Sequence, residues 1–193
     1  MEKYFLIGIP CCGKTTLGRK TAEVLGVPFY DTDQMARKRI KVRHPFEMIR
    51  FSFAGKFMKE QHKAIGKLAE IEGPAVIATG AEAALMPECA ESMKNTGVLI
   101  HIRRSPEIML AELDNQSGPV FAEIDAATGK PTGDTMTHMA VRRYAQEIPQ
   151  YEALADHVMG NDGGIEEGVD NLVALIRSLE SFPKAVKARL TAR

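Results

Sequence analysis

The chain has no net charge: 25 Lys and Arg balance 25 Asp and Glu. Without a positive surplus, a general grip on nucleic acid is not expected, because non-specific binding runs on net positive charge. Cysteine is scarce. Of the three present, Cys11 and Cys12 are adjacent and Cys89 is remote, which gives neither a disulfide framework nor zinc spacing. A reducing, cytoplasmic setting is expected. No apolar run approaches the roughly 18 residues that a membrane span needs. Met1-Glu2-Lys3 runs straight into a strand-like segment, without the charged, apolar and cleavage regions of a signal peptide. Internal repeats and low-complexity linkers are absent. The five histidines, His44, His62, His101, His138 and His157, show no metal-ligand spacing and are expected at the surface or at strand ends.

What is there is an ordinary globular composition. Of the 193 residues, 45% are hydrophobic and 26% charged, enough to bury one core without staples or metals. A single domain over residues 1–180 and a basic tail over 181–193 are expected, and the chain is expected to act as a monomer. Apolar runs alternate with helical patterns, the order of a parallel sheet covered by helices on both faces. Residues 4–9, 27–30, 74–79, 97–102 and 157–159 are the strand candidates. Helical spacing of Leu17, Thr21, Val24 and Leu25 predicts a first helix over 14–25, stopped by Gly26. Ser105-Pro106-Glu107 reads as a helix start. Ile165, Val169, Leu172, Val173, Ile176 and Leu179 predict a closing amphipathic helix. Two stretches break the alternation. Residues 34–71 read as helical without a strand. Residues 114–136 are rich in Gly, Pro, Asp and Thr and lack periodicity, as a functional lid or a disordered loop does.

Gly8-Ile9-Pro10-Cys11-Cys12-Gly13-Lys14-Thr15 fits G-x-x-x-x-G-K-[ST]. It follows a strand candidate and opens a helix candidate, the context that gives the pattern meaning. Gly8 and Gly13 permit backbone angles that a Cβ resists. The backbone N–H groups of such a loop, from Gly8 through Thr16, converge on an anion where the helix dipole also favours negative charge. Lys14 is positioned for the β- and γ-phosphates, and the Thr15 hydroxyl for Mg²⁺. Cys11 and Cys12 are either redox-sensitive thiols near a helix N-terminus or two small residues fitting a tight loop.

Asp31 and Asp33 close the second strand candidate at i and i+2. On a strand this spacing points both carboxylates to one side, at the sheet edge where open α/β proteins bind ligands. One could serve Mg²⁺ and the other an attacking hydroxyl. The same residues also suit a solvated turn with Asp33 capping the next helix. Spacing alone does not separate the two.

Together these features resemble the shikimate kinase family of P-loop kinases, over most of the chain. The matching segments are Gly8 to Gly18, Phe29 to Asp33, Val76-Ile77-Ala78-Thr79-Gly80, and Pro149 to Asp156. The resemblance implies a three-layer α/β fold with about five parallel strands, a helical acceptor region at 34–71 and a lid at 114–136. It implies ATP and Mg²⁺ as cofactors and a small anionic metabolite as partner. Lys14 and Thr15 would serve phosphate and magnesium, Asp31 the magnesium side, and Asp33 would orient or deprotonate the acceptor hydroxyl. Gly80 would line the acceptor site.

The chain departs from the family's pattern. The family's arginine after a phenylalanine is replaced in Phe57-Met58-Lys59, its glycine triplet in Gly80-Ala81-Glu82, its lid arginine before a proline in Gly118-Pro119, and a further arginine in Glu147-Ile148-Pro149. Lys59, Lys130, Arg142 and Arg143 lie near enough to substitute, although Lys lacks the bidentate fork of Arg. Between residues 34 and 63 nine bases (Arg37, Lys38, Arg39, Lys41, Arg43, Arg50, Lys56, Lys59, Lys63) face only Glu47 and Glu60. That is either a solvated helix face or a site that attracts an anion. MgATP-dependent transfer to a hydroxyl of a small anionic metabolite is therefore expected, with shikimate itself held weakly. The rivals are a related kinase with another acceptor and a nucleotide-binding module that has lost transfer.

Overall fold

Lys3–Ile7 forms β1, and all five of its residues are buried. A strand that is apolar without alternation belongs in the middle of a parallel sheet, covered on both faces. In the computed structural model, which describes residues 2–41, 53–114 and 136–181, β1 is indeed central. Strands β2 (Phe29–Asp31), β3 (Ala75–Ala78), β4 (Gly97–Arg103) and β5 (His157–Gly160) complete a five-stranded sheet in the order β2-β3-β1-β4-β5. Every pairing is parallel. The strands fall on the five apolar runs, with ends displaced by at most two residues. The buried strands β1 and β3 and the two half-exposed edges β2 and β5 account for their different patterning.

Helix α1 (Lys14–Leu25) starts directly after the glycine-rich turn and stops at Gly26, whose φ of 68° is left-handed. Its buried face is Leu17, Gly18, Thr21 and Ala22, whereas Val24, expected on the apolar stripe, is exposed. Helix α2 (Thr32–Ile40) follows β2 without a loop. Helix α3 (Phe53–Glu70) packs against α2, and Ala36, Ile40 and Phe57 form a small separate core between them. Then come α4 (Ala81–Leu85), α5 (Pro87–Lys94), α6 (Pro106–Asp114) and α7 (Met136–Leu154). The last helix, α8 (Ile165–Ser181), buries the expected stripe against α1, except that Ile165 at its first turn is exposed.

The stretch expected to form the acceptor region is helical on both described sides, with residues 42–52 outside the described residues. The expected lid also lies outside them between α6 and α7, as does the basic tail beyond Ser181.

Candidate active site

The loop between β1 and α1 sits at the carboxyl end of the central strand, where the chain moves from one half of the sheet to the other. Its backbone explains its glycines. Gly8 has φ 140° and Gly13 φ 101°, and a Cβ on Gly8 would stand 2.7 Å from the Ile102 carbonyl oxygen. Cys11 also takes a positive φ, 63°, uncommon for a residue with a side chain. Cys12 is buried and Cys11 half-buried.

Two residues from the far half of the sheet hold this loop. Asn161, buried just after β5, donates from Nδ2 to the Cys12 carbonyl at 2.9 Å, and its own N–H donates to the Arg103 carbonyl at 2.8 Å. Arg104 donates to the Cys11 carbonyl at 3.3 Å. Asn161 stands in a Gly-Asn-Asp-Gly-Gly run, which reads as an ordinary turn, so its support of the loop was hidden until the strands were ordered.

Lys14 is buried, and its ammonium donates to the Gly8 and Ile9 carbonyls, both at 2.7 Å. These neutral acceptors are weaker than a phosphate oxygen. The cation therefore lies over the loop, ready to exchange carbonyls for an anion. The Thr15 hydroxyl donates to Asp31 Oδ2 at 2.8 Å, and the Gln34 N–H donates to Asp31 Oδ1 at 2.9 Å. Asp31, not Asp33, is thus the cap of α2. Thr15 and Asp31 bring two hard oxygen donors together beside the phosphate loop. This suits Mg²⁺, which takes one or two protein ligands and completes its shell with water and phosphate.

Asp33 lies in the first turn of α2, not on the strand, so the i, i+2 strand spacing does not describe the pair. Its half-buried carboxylate faces the end of β3. The Gly80 N–H donates to Thr32 Oγ1 at 2.8 Å and ties the two segments. A Cβ on Gly80 would stand 2.4 Å from Asp33 Oδ1. A side chain at this position would push the Asp33 and Gln61 side-chain ends aside. Burial pushes the Asp33 carboxyl above the ordinary carboxylate range, and the Asp31 charge adds to the rise; Lys14 and Arg37 oppose it.

Gln61 on α3 also abuts Gly80. It is 3% exposed, and among the described residues its Oε1 has no hydrogen-bond partner. The readable signal is a polar residue on the buried stripe Phe57, Ala64, Ile65 and Leu68.

The expected basic substitutes are not equivalent. Lys59 and Arg142 are exposed. Arg143 is half-buried and pairs with Glu82 at 3.0 Å and Glu147 at 2.6 Å. Glu147 is therefore not the isolated repelling charge that its sequence position suggests. Tyr151, next along α7, donates its hydroxyl to the Ala81 carbonyl at 2.8 Å and stacks on His101, with ring centroids 5.4 Å apart. His101 is fully buried, against the expectation for the histidines, and among the described residues neither ring nitrogen has a partner. Burial pushes its pKa down to about 4. Among the described residues no cluster of three or more His, Cys, Asp or Glu could hold a metal ion, and no helix is long and apolar enough to cross a membrane.

Fold and site together define an α/β protein of the P-loop kinase class. Sequence comparison gives the family: the model describing shikimate kinase matches residues 10–177, and the chain belongs to the shikimate kinase family. It is similar to the shikimate kinase of Thiobacillus denitrificans, 31% identical over 157 residues that cover 80% of this chain and 79% of the relative. Shikimate kinase 2 of Yersinia enterocolitica is 27% identical over 176 residues, covering 91% and 95%. Among solved structures, the shikimate kinase of Acinetobacter baumannii in complex with shikimate shares the fold, with a TM-score of 0.77 at 19% identity, covering 94% of this chain and 96% of that one. The chain is an ATP-dependent kinase, and its relatives do not favour the rival readings.

Proposed function

We propose that the chain transfers the γ-phosphoryl group of MgATP to a hydroxyl of shikimate or a closely similar hydroxy acid. The observation that carries this reading is the pairing of two carboxylates with different environments across Gly80 and Thr15. Asp31 is bound on both oxygens beside the phosphate loop, whereas Asp33 opens toward the acceptor region with its basicity raised by burial.

In this reading the phosphate loop and Lys14 bind and orient the triphosphate. Thr15 and Asp31 would hold Mg²⁺, which neutralises charge on the phosphates when bound. Asp33 accepts the proton of the acceptor hydroxyl. The hydroxyl oxygen forms the new bond to the γ-phosphorus, the bond from that phosphorus to the bridging oxygen breaks, and ADP leaves with the electron pair. Positioning and charge neutralisation supply the rate, with no covalent enzyme intermediate. The three cysteines are free thiols, which supports a reducing, cytoplasmic setting.

The test is ADP release with MgATP and shikimate, with other hydroxy acids and sugar acids as parallel acceptors. Shikimate-dependent ADP release with formation of a phosphate ester is expected. Nucleotide turnover with another acid and none with shikimate would overturn the choice of acceptor.

A further inference from the structure

The acceptor region holds two buried polar atoms that the reaction above leaves without a role. The first is Gln61 Oε1. It stands 1.8 Å from the point a Gly80 Cβ would occupy, next to Asp33 Oδ1 at 2.4 Å from that point. Both oxygens thus border Gly80, and among the described residues no donor reaches Gln61 Oε1. A buried acceptor without a donor forfeits its hydration for nothing, so such atoms are rare and point to a ligand. Two hydroxyls on neighbouring carbons supply the missing donors, one to each oxygen.

The second is Arg37 Nε, buried and without a partner among the described residues. Arg37 lies one turn beyond Asp33 on α2, so the two share a face, and helical side chains lean back toward the N-terminal turn. Its charge acts on Asp33. Among the described residues it makes no ion pair, although the exposed Arg39 nearby takes Glu60 at 3.3 Å. A half-buried guanidinium left open in this way suits a planar anion. Met58, where the family pattern has arginine, contributes no charge.

We propose that Arg37 and Gln61 read the acceptor: Arg37 holds its carboxylate, and Gln61 accepts a hydrogen bond from the hydroxyl next to the one phosphorylated. The substrate class is then a hydroxy acid with vicinal hydroxyls, its carboxylate directed toward α2. This rests on the acceptor reading above and adds the residues that select the substrate.

The experiment compares shikimate with its methyl ester, which keeps the hydroxyls and removes the negative charge. The wild type is expected to favour the acid in kcat/KM by about 10–100-fold, the worth of one charge-assisted contact. In Arg37→Met that preference falls to within about twofold of unity, with KM for ATP unchanged, and Arg37→Lys recovers part of it. Gln61→Leu is expected to lower kcat/KM for shikimate about tenfold while thermal stability holds or rises, because it removes an unsatisfied buried oxygen. Retained stabilisation by MgADP shows that each variant is folded. If the wild type releases no ADP with shikimate, the acceptor reading fails and this one with it. If the wild type is active but Arg37→Met keeps the full preference for the acid, or Gln61→Leu keeps full kcat/KM, only the assignment of that residue is overturned.

Discussion

Asp33 shows how a single residue can be held against its own preference. Its carboxyl is raised by burial and by the charge of Asp31. A carboxyl whose pKa rises on folding stabilises the fold at low pH and loses that contribution as pH climbs through its folded value. At neutral pH a charged Asp33 therefore weakens the fold. Asp33→Asn removes the charge and presents an amide that can donate to Gln61 Oε1. It is expected to raise Tm at pH 7 by roughly 1–3 °C, to lower kcat by about 10²–10⁴-fold, and to leave stabilisation by MgADP nearly intact. A variant that keeps wild-type turnover would show that Asp33 is no more than a first-turn acid. Part of this was readable in the chain. Lys14 and Thr15 stand in a motif whose spacing has a chemical reason, and the two aspartates were singled out by position. Which of them caps α2 was not readable, because either serves a cap and only the start of the helix decides. Gln61 was hidden for a related reason: a lone polar residue on an apolar stripe has meaning only once Gly80 is known to lie against it.

At the scale of elements, the phosphate loop depends on a strand far from it in sequence. β5 and its following turn bring Asn161 to the Cys12 carbonyl, and a Cβ on Gly13 would stand 2.5 Å from the same Asn161 amide. The loop is thus braced from the side away from α2, while Thr15 and Asp31 brace it on the other. Asn161→Ala leaves the Cys12 carbonyl without its donor, a loss of about 1–3 kcal/mol. Because that loss falls on the loop, KM for ATP is expected to rise several-fold, with KM for the acceptor nearly unchanged. Equal effects on both constants would instead indicate a general loss of packing. The elements were legible from hydrophobic period: continuous apolar strands, the Gly26 stop and the stripe on α8 need only local chemistry. The order of strands was not, since nothing in the composition of β5 says that it pairs with β4 rather than with the opposite edge.

For the whole molecule, nucleotide and pH act on one folding equilibrium. A ligand at a hundredfold excess over its Kd adds about 2.7 kcal/mol to the native state, so saturating MgADP is expected to raise Tm clearly, and Lys14→Ala to abolish most of the rise. His101 sets the opposite limit. It lies in β4, next to Gly8 and against Tyr151, so its protonation would place a charge in the core beneath the phosphate loop. Its pKa is pushed down to about 4 in the fold by burial, from about 6.5 in an unfolded chain. Between these values the unfolded chain binds the proton and the native state does not. Stability contributed by His101 is therefore complete above about pH 6.5 and is lost as pH falls toward 4. Between pH 7 and pH 4.5 this single group accounts for roughly 2–3 kcal/mol of acid sensitivity. His101→Phe keeps a ring against Tyr151 and removes two unsatisfied nitrogens. It is expected to equal or exceed the wild type in stability at pH 7, and to lose markedly less between pH 7 and 4.5. Urea unfolding at the two pH values measures the difference directly. Asp33 pulls the other way over acid pH, so the comparison is made between variant and wild type at each pH, where the Asp33 contribution cancels. Parallel pH dependences in the two proteins would mean that His101 is protonated in the native core or finds a partner there, and that the acid sensitivity of the fold arises elsewhere.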